Sequence, residues 1–182
     1  MIEPAFWAWI AFLASWWSAS VWVARATTTA PLARRAAYYT GFTIGFAGMF
    51  APIAWTGWRM SHPAATALLA IELGGFAFAW WARVHLGRLW SGMLTLREGH
   101  RIVDSGPYGV VRHPIYTAFI TSALAFAALS GSPLRLAGAL VLAATMTIKS
   151  GEEERWLRAE LGAAAYDAYA RRVPKLVPFV RP

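Results

Sequence analysis

The chain contains no cysteine, which removes disulfides, thiolate metal sites and a cysteine nucleophile together. Charge is scarce as well. Only 14% of its 182 residues are Asp, Glu, Lys or Arg, while 58% are hydrophobic; a soluble domain carries roughly 25% charged residues. A chain of this size in water still needs a polar surface, so the deficit excludes an ordinary soluble globule and makes lipid the covering medium. Acids are scarcest, 9 against 17 basic residues, for a formal net charge of +8. The bases fall between apolar segments and near the C-terminal end. That distribution suits a membrane face against anionic headgroups and leaves no compact basic module for a nucleic acid. The four histidines, His62, His85, His100 and His113, form no helical pair and have no companion carboxylate at a fitting spacing, so no metal site is expected. The sequence also lacks a GxSxG elbow, a Walker loop and a Gly-rich nucleotide fingerprint.

What is present is a series of long uncharged runs. The first extends from Pro4 to Ala24, enough to cross a hydrocarbon layer about 30 Å thick. Glu3 is the only charge ahead of it, so the run is expected to be a retained span rather than a cleaved signal. A basic loop with Arg25, Arg34 and Arg35 leads to a second run, Ala36 to Trp58, in which Gly41, Gly45 and Gly48 invite close helix approach and Pro52 marks a kink. The third, Pro63 to Ala82, holds one acid, Glu72, read equally as functional or as paired inside the bundle. The fourth begins at Pro114 and the fifth covers Pro133 to Ile148; the Ser130-Gly131-Ser132-Pro133 turn makes these two a hairpin. The predicted fold is an all-α integral membrane protein of about five transmembrane helices: three in residues 1–85, then a second region in 86–182. The latter comprises a polar connector, a hairpin at about 114–148 and an amphipathic C-terminal segment. Eleven tryptophans suit the two interfaces. Placing the N-terminus outside puts the basic segments inside, as the positive-inside rule requires.

Chemistry gathers in two stretches. One, Leu86 to Tyr116, holds His100, Arg101, Asp104, Tyr108, Arg112, His113 and Tyr116; the other, Lys149 to Pro178, opens on Glu152-Glu153-Glu154. The hairpin brings both to one membrane surface, where acids, aromatics and bases together suit a zwitterionic or cationic ligand. Each element also has a purely structural alternative. Arg112-His113-Pro114 can be an anchor and helix start, the three acids a first helical turn complementing the macrodipole, and Tyr166 and Tyr169 interfacial anchors.

The combination is more specific than its parts. LGR-x-WS, a GHRIV-like strand, SGPY-x-x-VRHPIY, then EE-x-x-L-x-x-x-x-G-x-x-x-Y-x-x-Y and VPKLVP resemble the isoprenylcysteine carboxyl methyltransferase family, grouped with the membrane phospholipid methyltransferases. The likeness runs from Leu86 to Pro178, about half the chain. It implies a multi-pass enzyme, five-span like prokaryotic members and so placed in a cytoplasmic membrane, with an S-adenosylmethionine site on the cytosolic flanks of the hairpin and S-adenosylhomocysteine as product. Carried over by position, His100, Val103, Tyr108, His113, Pro114, Tyr116 and Glu153 are the implied cofactor-binding residues. Arg112 and Lys149 are the implied catalytic ones, Arg112 orienting its segment and Lys149, with Arg171 and Arg172, steering the acceptor. The sequence departs from the eukaryotic prenylcysteine enzymes at Lys149, where those carry an Arg thought to hold the substrate carboxylate; Lys is a point charge without that fork. The expected partners are the bilayer and a lipid-like or amphiphilic methyl acceptor. The rival readings are a phospholipid N-methyltransferase and a non-catalytic membrane subunit or small transporter.

Overall fold

The computed structural model describes residues 2–21, 26–29, 32–52, 58, 60–92, 95–97 and 101–180. Among them are six α-helices: α1 (Ile2–Ser18), α2 (Leu32–Phe50), α3 (His62–Leu86), α4 (Pro114–Ser130), α5 (Pro133–Leu161) and α6 (Ala163–Arg172). Two helices, His62–Leu89 with its terminal 3-10 turn and Pro133–Leu161, are long and apolar enough to cross a membrane, and Pro114–Ser130 is a shorter apolar helix. Large apolar side chains such as Trp7, Ile44, Trp81 and Ile148 stay outward and exposed, as lipid contact allows and water does not.

Most boundaries follow local chemistry. Pro114 and Pro133 sit at the first positions of α4 and α5, where a missing N–H costs nothing. Gly131, at φ 66°, supplies the left-handed residue that ends α4, and the Ser132 hydroxyl accepts from the Arg135 amide to start α5. At Pro52 the expected kink is instead an end. α2 stops at Phe50, because the residue before a proline is driven out of the helical region. α2 also begins at Leu32, so Arg34 and Arg35 belong to its first turn rather than to a loop; Arg25 lies outside the described residues. The all-α expectation needs one addition, a two-stranded antiparallel ribbon pairing β1 (Ala26–Thr29) with β2 (Thr95–Arg97).

The largest departure concerns α5. The apolar run ends at Ile148, but the helix continues through the acids to Leu161. Glu152, Glu153 and Glu154 therefore lie inside a helix and cannot complement the dipole of a helix start. The helix runs through Gly151 without a break; a single interior Gly costs only about 1 kcal/mol, and polarity alone does not stop a helix.

Two seams hold the bundle. Trp9, Phe12 and Trp16 of α1 pack on Phe76 of α3 and Phe119 of α4, with Phe12 stacked on Phe76 at 4.3 Å between centroids. The other seam joins α2 to α5 through glycines. A Cβ on Gly138 would stand 2.5 Å from the Met49 amide nitrogen and 2.7 Å from the Gly45 carbonyl oxygen. Backbone cannot yield there as a side chain can. Gly138→Val is expected to cost about 1–3 kcal/mol, read as a lower thermal midpoint in detergent, whereas Gly74→Ala, with open space beside it, should leave that midpoint in place.

Candidate functional site

The start of α4 and the polar extension of α5 meet through a buried network. Arg112 donates from Nε to Glu154 Oε1 at 2.7 Å, and from Nη1 to the carbonyls of Ala170 at 2.9 Å and Val173 at 2.6 Å. His113 Nε2 lies 3.0 Å from Glu154 Oε1 and its Nδ1 3.6 Å from Glu153 Oε2. Tyr116, one turn on and stacked on His113 with the rings 3° from parallel, donates from its hydroxyl to Glu153 Oε2 at 2.8 Å. Lys149 completes the set. Its Nζ donates to the Tyr116 hydroxyl at 2.7 Å and to the Gly92 carbonyl at 2.9 Å, and lies 3.9 Å from Glu153 Oε1.

The segment after α6 ties the cluster down. The Arg112 amide donates to the Pro174 carbonyl, the His113 amide to Lys175 and the Thr117 hydroxyl to Leu176. Tyr169 donates to the Tyr108 carbonyl at 2.8 Å, and Arg158 grips Asp167 with two bonds across the α5–α6 corner. On the other side His85 meets Ser105 at 2.9 Å, and its ring fills the space where a Cβ on Gly106 would go.

This network walls one end of a cavity of about 1080 Å³. The polar end carries Arg101, Tyr108, Arg112, His113, Glu153, Tyr166 and Tyr169. The other end is apolar and aromatic, built from Leu13 and Trp16 of α1, Phe42 and Phe46 of α2, Trp90 and Phe119. Lys149, 5.9 Å from the Phe42 ring centroid and only 2% exposed, sits where the two ends meet.

Of the residues expected from sequence, Val103, Tyr108, Arg112, His113, Pro114, Tyr116, Lys149 and Glu153 all line this cavity. His100 lies outside the described residues. Arg171 and Arg172 are not brought in. Arg172 pairs with Asp104 on the exposed surface at 3.1 Å, and Arg171 borders a separate shallow depression with Asp167. Both lie in the last turn of α6, whose buried face is Tyr166 and Tyr169. Sequence reading missed Glu154 as a structural partner and Arg83 as a buried cation. The Arg83 guanidinium lies 3.5 Å from the Trp90 ring centroid and donates to the Ala19 carbonyl. A charge within the last helical turn before LGR-x-W was the available signal. Glu72 is fully buried between α3 and α4, and among the described residues neither of its carboxyl oxygens has a hydrogen-bond donor.

The isoprenylcysteine carboxyl methyltransferase (ICMT) family profile matches residues 66–159, from α3 through nearly all of α5. The chain belongs to this family. It is 31% identical over 102 residues to protein-S-isoprenylcysteine O-methyltransferase B of Arabidopsis thaliana, covering 54% of this chain and 51% of that protein. It is also 32% identical over 96 residues to the cobalt-zinc-cadmium resistance protein CzcN of Cupriavidus metallidurans, covering 51% and 43%. The nickel-cobalt-cadmium resistance protein NccN of Alcaligenes xylosoxydans is 28% identical over 113 residues, covering 62% and 50%. The chain thus spans about half the length of the curated relatives it matches.

The charge state of His113 is coupled to this network. Burial alone would depress the imidazole, but the hydrogen bond to Glu154 and the adjacent Glu153 carboxylate outweigh it and raise its pKa above the ordinary 6.5. The protonated ring is thus favoured by the fold. Its stabilisation is fully present below about 6.5 and is lost as pH rises through the raised value. Thermal midpoints measured from pH 6 upward are expected to fall across that window in the wild type and to flatten in His113→Gln. Arg112→Met, which leaves Glu154 to His113 alone and takes the donor from two carbonyls, should cost about 1–3 kcal/mol by the same measurement.

Proposed function

We propose that the chain is an integral membrane methyltransferase that uses S-adenosylmethionine and methylates a lipid-like or amphiphilic acceptor. The observation that carries this reading is the two-ended cavity, with Glu153 among basic and phenolic groups at one end and an aromatic, apolar lining at the other. Family membership supports it. Pockets that hold one drug-sized ligand measure roughly 300–1,000 Å³, and this cavity, at about 1080 Å³, stands at the top of that range, large enough for the cofactor.

The residues present fit the cofactor. Its amino-acid end is a zwitterion, its ribose offers two hydroxyls and its sulfur is cationic. Glu153 is an acceptor for ammonium or hydroxyl, and His113, whose two ring nitrogens face Glu154 and Glu153, belongs to the set as the group that holds that carboxylate in place. Tyr108 and Tyr116 offer ring faces to a cation or a purine. Val103 and Pro114 contribute apolar wall, and His100 belongs to the same proposed set by its place in the motif. Arg112 acts behind them, fixing the segment that carries His113. Bound there, the cofactor supplies an electrophilic methyl group.

The protein's part is alignment, since methyl displacement is an in-line reaction in which orientation dominates. Aromatic walls around Trp16, Phe42 and Trp90 keep water from the apolar end, and Tyr116 with Lys149 behind it stands between the two ends, on the side an acceptor's head approaches. In the membrane, α1, α2 and α4 join α3 and α5 as five spans with the N-terminus outside. The network then faces the cytosol, from which the cofactor enters, while the acceptor arrives laterally from the bilayer.

Calorimetric titration of S-adenosylhomocysteine into the detergent-purified protein tests the reading. Micromolar binding is expected in the wild type, with at least a tenfold loss in Glu153→Ala. Absence of binding by folded wild-type protein would return the chain to a non-catalytic membrane role.

A further inference from the structure

The head of the acceptor can be read from the hydrogen bonds around Lys149. An ammonium has three protons to give and no acceptor. Here one goes to the Gly92 carbonyl and one to the Tyr116 hydroxyl, and the third side faces Glu153 Oε1 at 3.9 Å. The residue is almost wholly buried, so these partners also supply the compensation that its charge requires. Its protons and its charge are engaged by the protein, and an arriving carboxylate would have to displace Tyr116 or Glu153 to reach it.

Tyr116 is in the opposite position. A phenolic hydroxyl has one proton and two acceptor lone pairs. Its proton goes to Glu153 Oε2 at 2.8 Å and one lone pair receives Lys149 at 2.7 Å, which leaves one lone pair. Tyr116 lines the cavity beside Ile115 and Phe119, at the junction of the polar and apolar ends. What this junction offers a head group is therefore an acceptor backed by a carboxylate. That suits a group carrying a hydrogen and gives a carboxylate, which only accepts, nothing to bind.

We propose that the acceptor is an amphiphile whose nucleophilic atom bears a proton, an amine or a thiol, and that Tyr116 receives that proton and relays its own to Glu153. This rests on the methyltransferase reading above. In the step, the lone pair of the nucleophile forms a bond to the methyl carbon while the sulfur–carbon bond of the sulfonium donor breaks, its electron pair staying on sulfur. The proton lost from the nucleophile moves to the Tyr116 oxygen as the Tyr116 proton moves to Glu153 Oε2, so charge and atoms balance. Lys149 holds the Tyr116 oxygen in place and stabilises the charge that develops on it. Tyr116 is thus a catalytic residue on the acceptor side, and Lys149 positions it.

The test uses the full chain in vesicles, with hexadecylamine, hexadecanethiol and palmitate as probes matched in chain length. Trp16, Trp90 and Trp156 line the cavity, so quenching of intrinsic fluorescence reports occupancy without cofactor. The amine or the thiol is expected to bind at least fivefold more tightly than palmitate, and Tyr116→Phe to remove that preference. With labelled S-adenosylmethionine, label should enter the amine or the thiol, and Tyr116→Phe, which keeps the ring and loses only the hydroxyl, should lower kcat roughly a hundredfold or more. The two arms show which nucleophile the site takes. Tighter binding or methylation of palmitate overturns the inference and leaves the methyltransferase reading standing, as does failure to label any probe while S-adenosylhomocysteine binds. Undiminished turnover in Tyr116→Phe removes the relay. No S-adenosylhomocysteine binding by folded wild type removes both. The three-probe comparison on the wild type decides the acceptor class even where the variant does not fold.

Discussion

Two adjacent carboxylates on α5 organise the polar half of this protein. Consecutive helical residues point about 100° apart, so Glu153 and Glu154 reach different partners from one turn of backbone. Glu154 takes Arg112 and His113, while Glu153 takes Tyr116 and faces Lys149. The first pair welds the entry of α4 to α5; the second furnishes the cavity. An ionised carboxylate is costly to bury without partners of this kind, so neither half of the arrangement is free to vary alone. The segment after α6 is drawn into the same weld, because Arg112 also needs the carbonyls of Ala170 and Val173. Chain that would otherwise trail from a short helix becomes the backing of the site.

The apolar half has another origin. Without water between helices, close packing sets their spacing, and the glycines of α2 and α5 let Gly138 lie against the backbone of Met49 and Gly45. That contact brings Phe42 and Phe46 alongside α5, where they face the cavity with Trp16 of α1. Arg83 then acts from behind. Its guanidinium against the Trp90 ring fixes one more aromatic wall, two residues ahead of the carbonyl that holds Lys149.

Much of this was legible in the sequence, and the reasons are local. Pro114, Gly131 and Pro133 specify the hairpin through backbone geometry alone, and the spacing from HPIY to EE sets the register that brings Tyr116 to Glu153. The extent of α5 was not legible, because hydrophobicity marks where lipid ends and not where hydrogen bonding ends; reading a helix start at Glu152 followed from that confusion. The division of labour between Glu153 and Glu154 depends on the rotation of α5 about its axis, which packing against α4 decides. Arg171 and Arg172 drew attention by charge, yet α6 turns its tyrosines inward and leaves both arginines outside the cavity. The ribbon of β1 and β2 joins segments far apart in sequence, and four or three residues are too few to carry a period.

The boundary of the family match divides the cavity usefully. Residues 66–159 include the connector, α4 and the α5 carboxylates, and so nearly all of the polar end. The α1 and α2 walls lie before that stretch, and Tyr166 and Tyr169 after it. A relative sharing only the matched half therefore bears on the polar chemistry and on the Trp90 and Phe119 part of the apolar end, and says little about the walls formed by Leu13, Trp16, Phe42 and Phe46. Relatives named for prenylcysteine methylation and for metal resistance can then share one polar constellation while their apolar compartments, and the molecules they accept, differ. On the proposed methyltransferase reading, reaction type is set by the hairpin and its carboxylates, and the acceptor tail in part by helices outside the matched stretch. The head group is left to the junction between them, where Tyr116 and Lys149 stand.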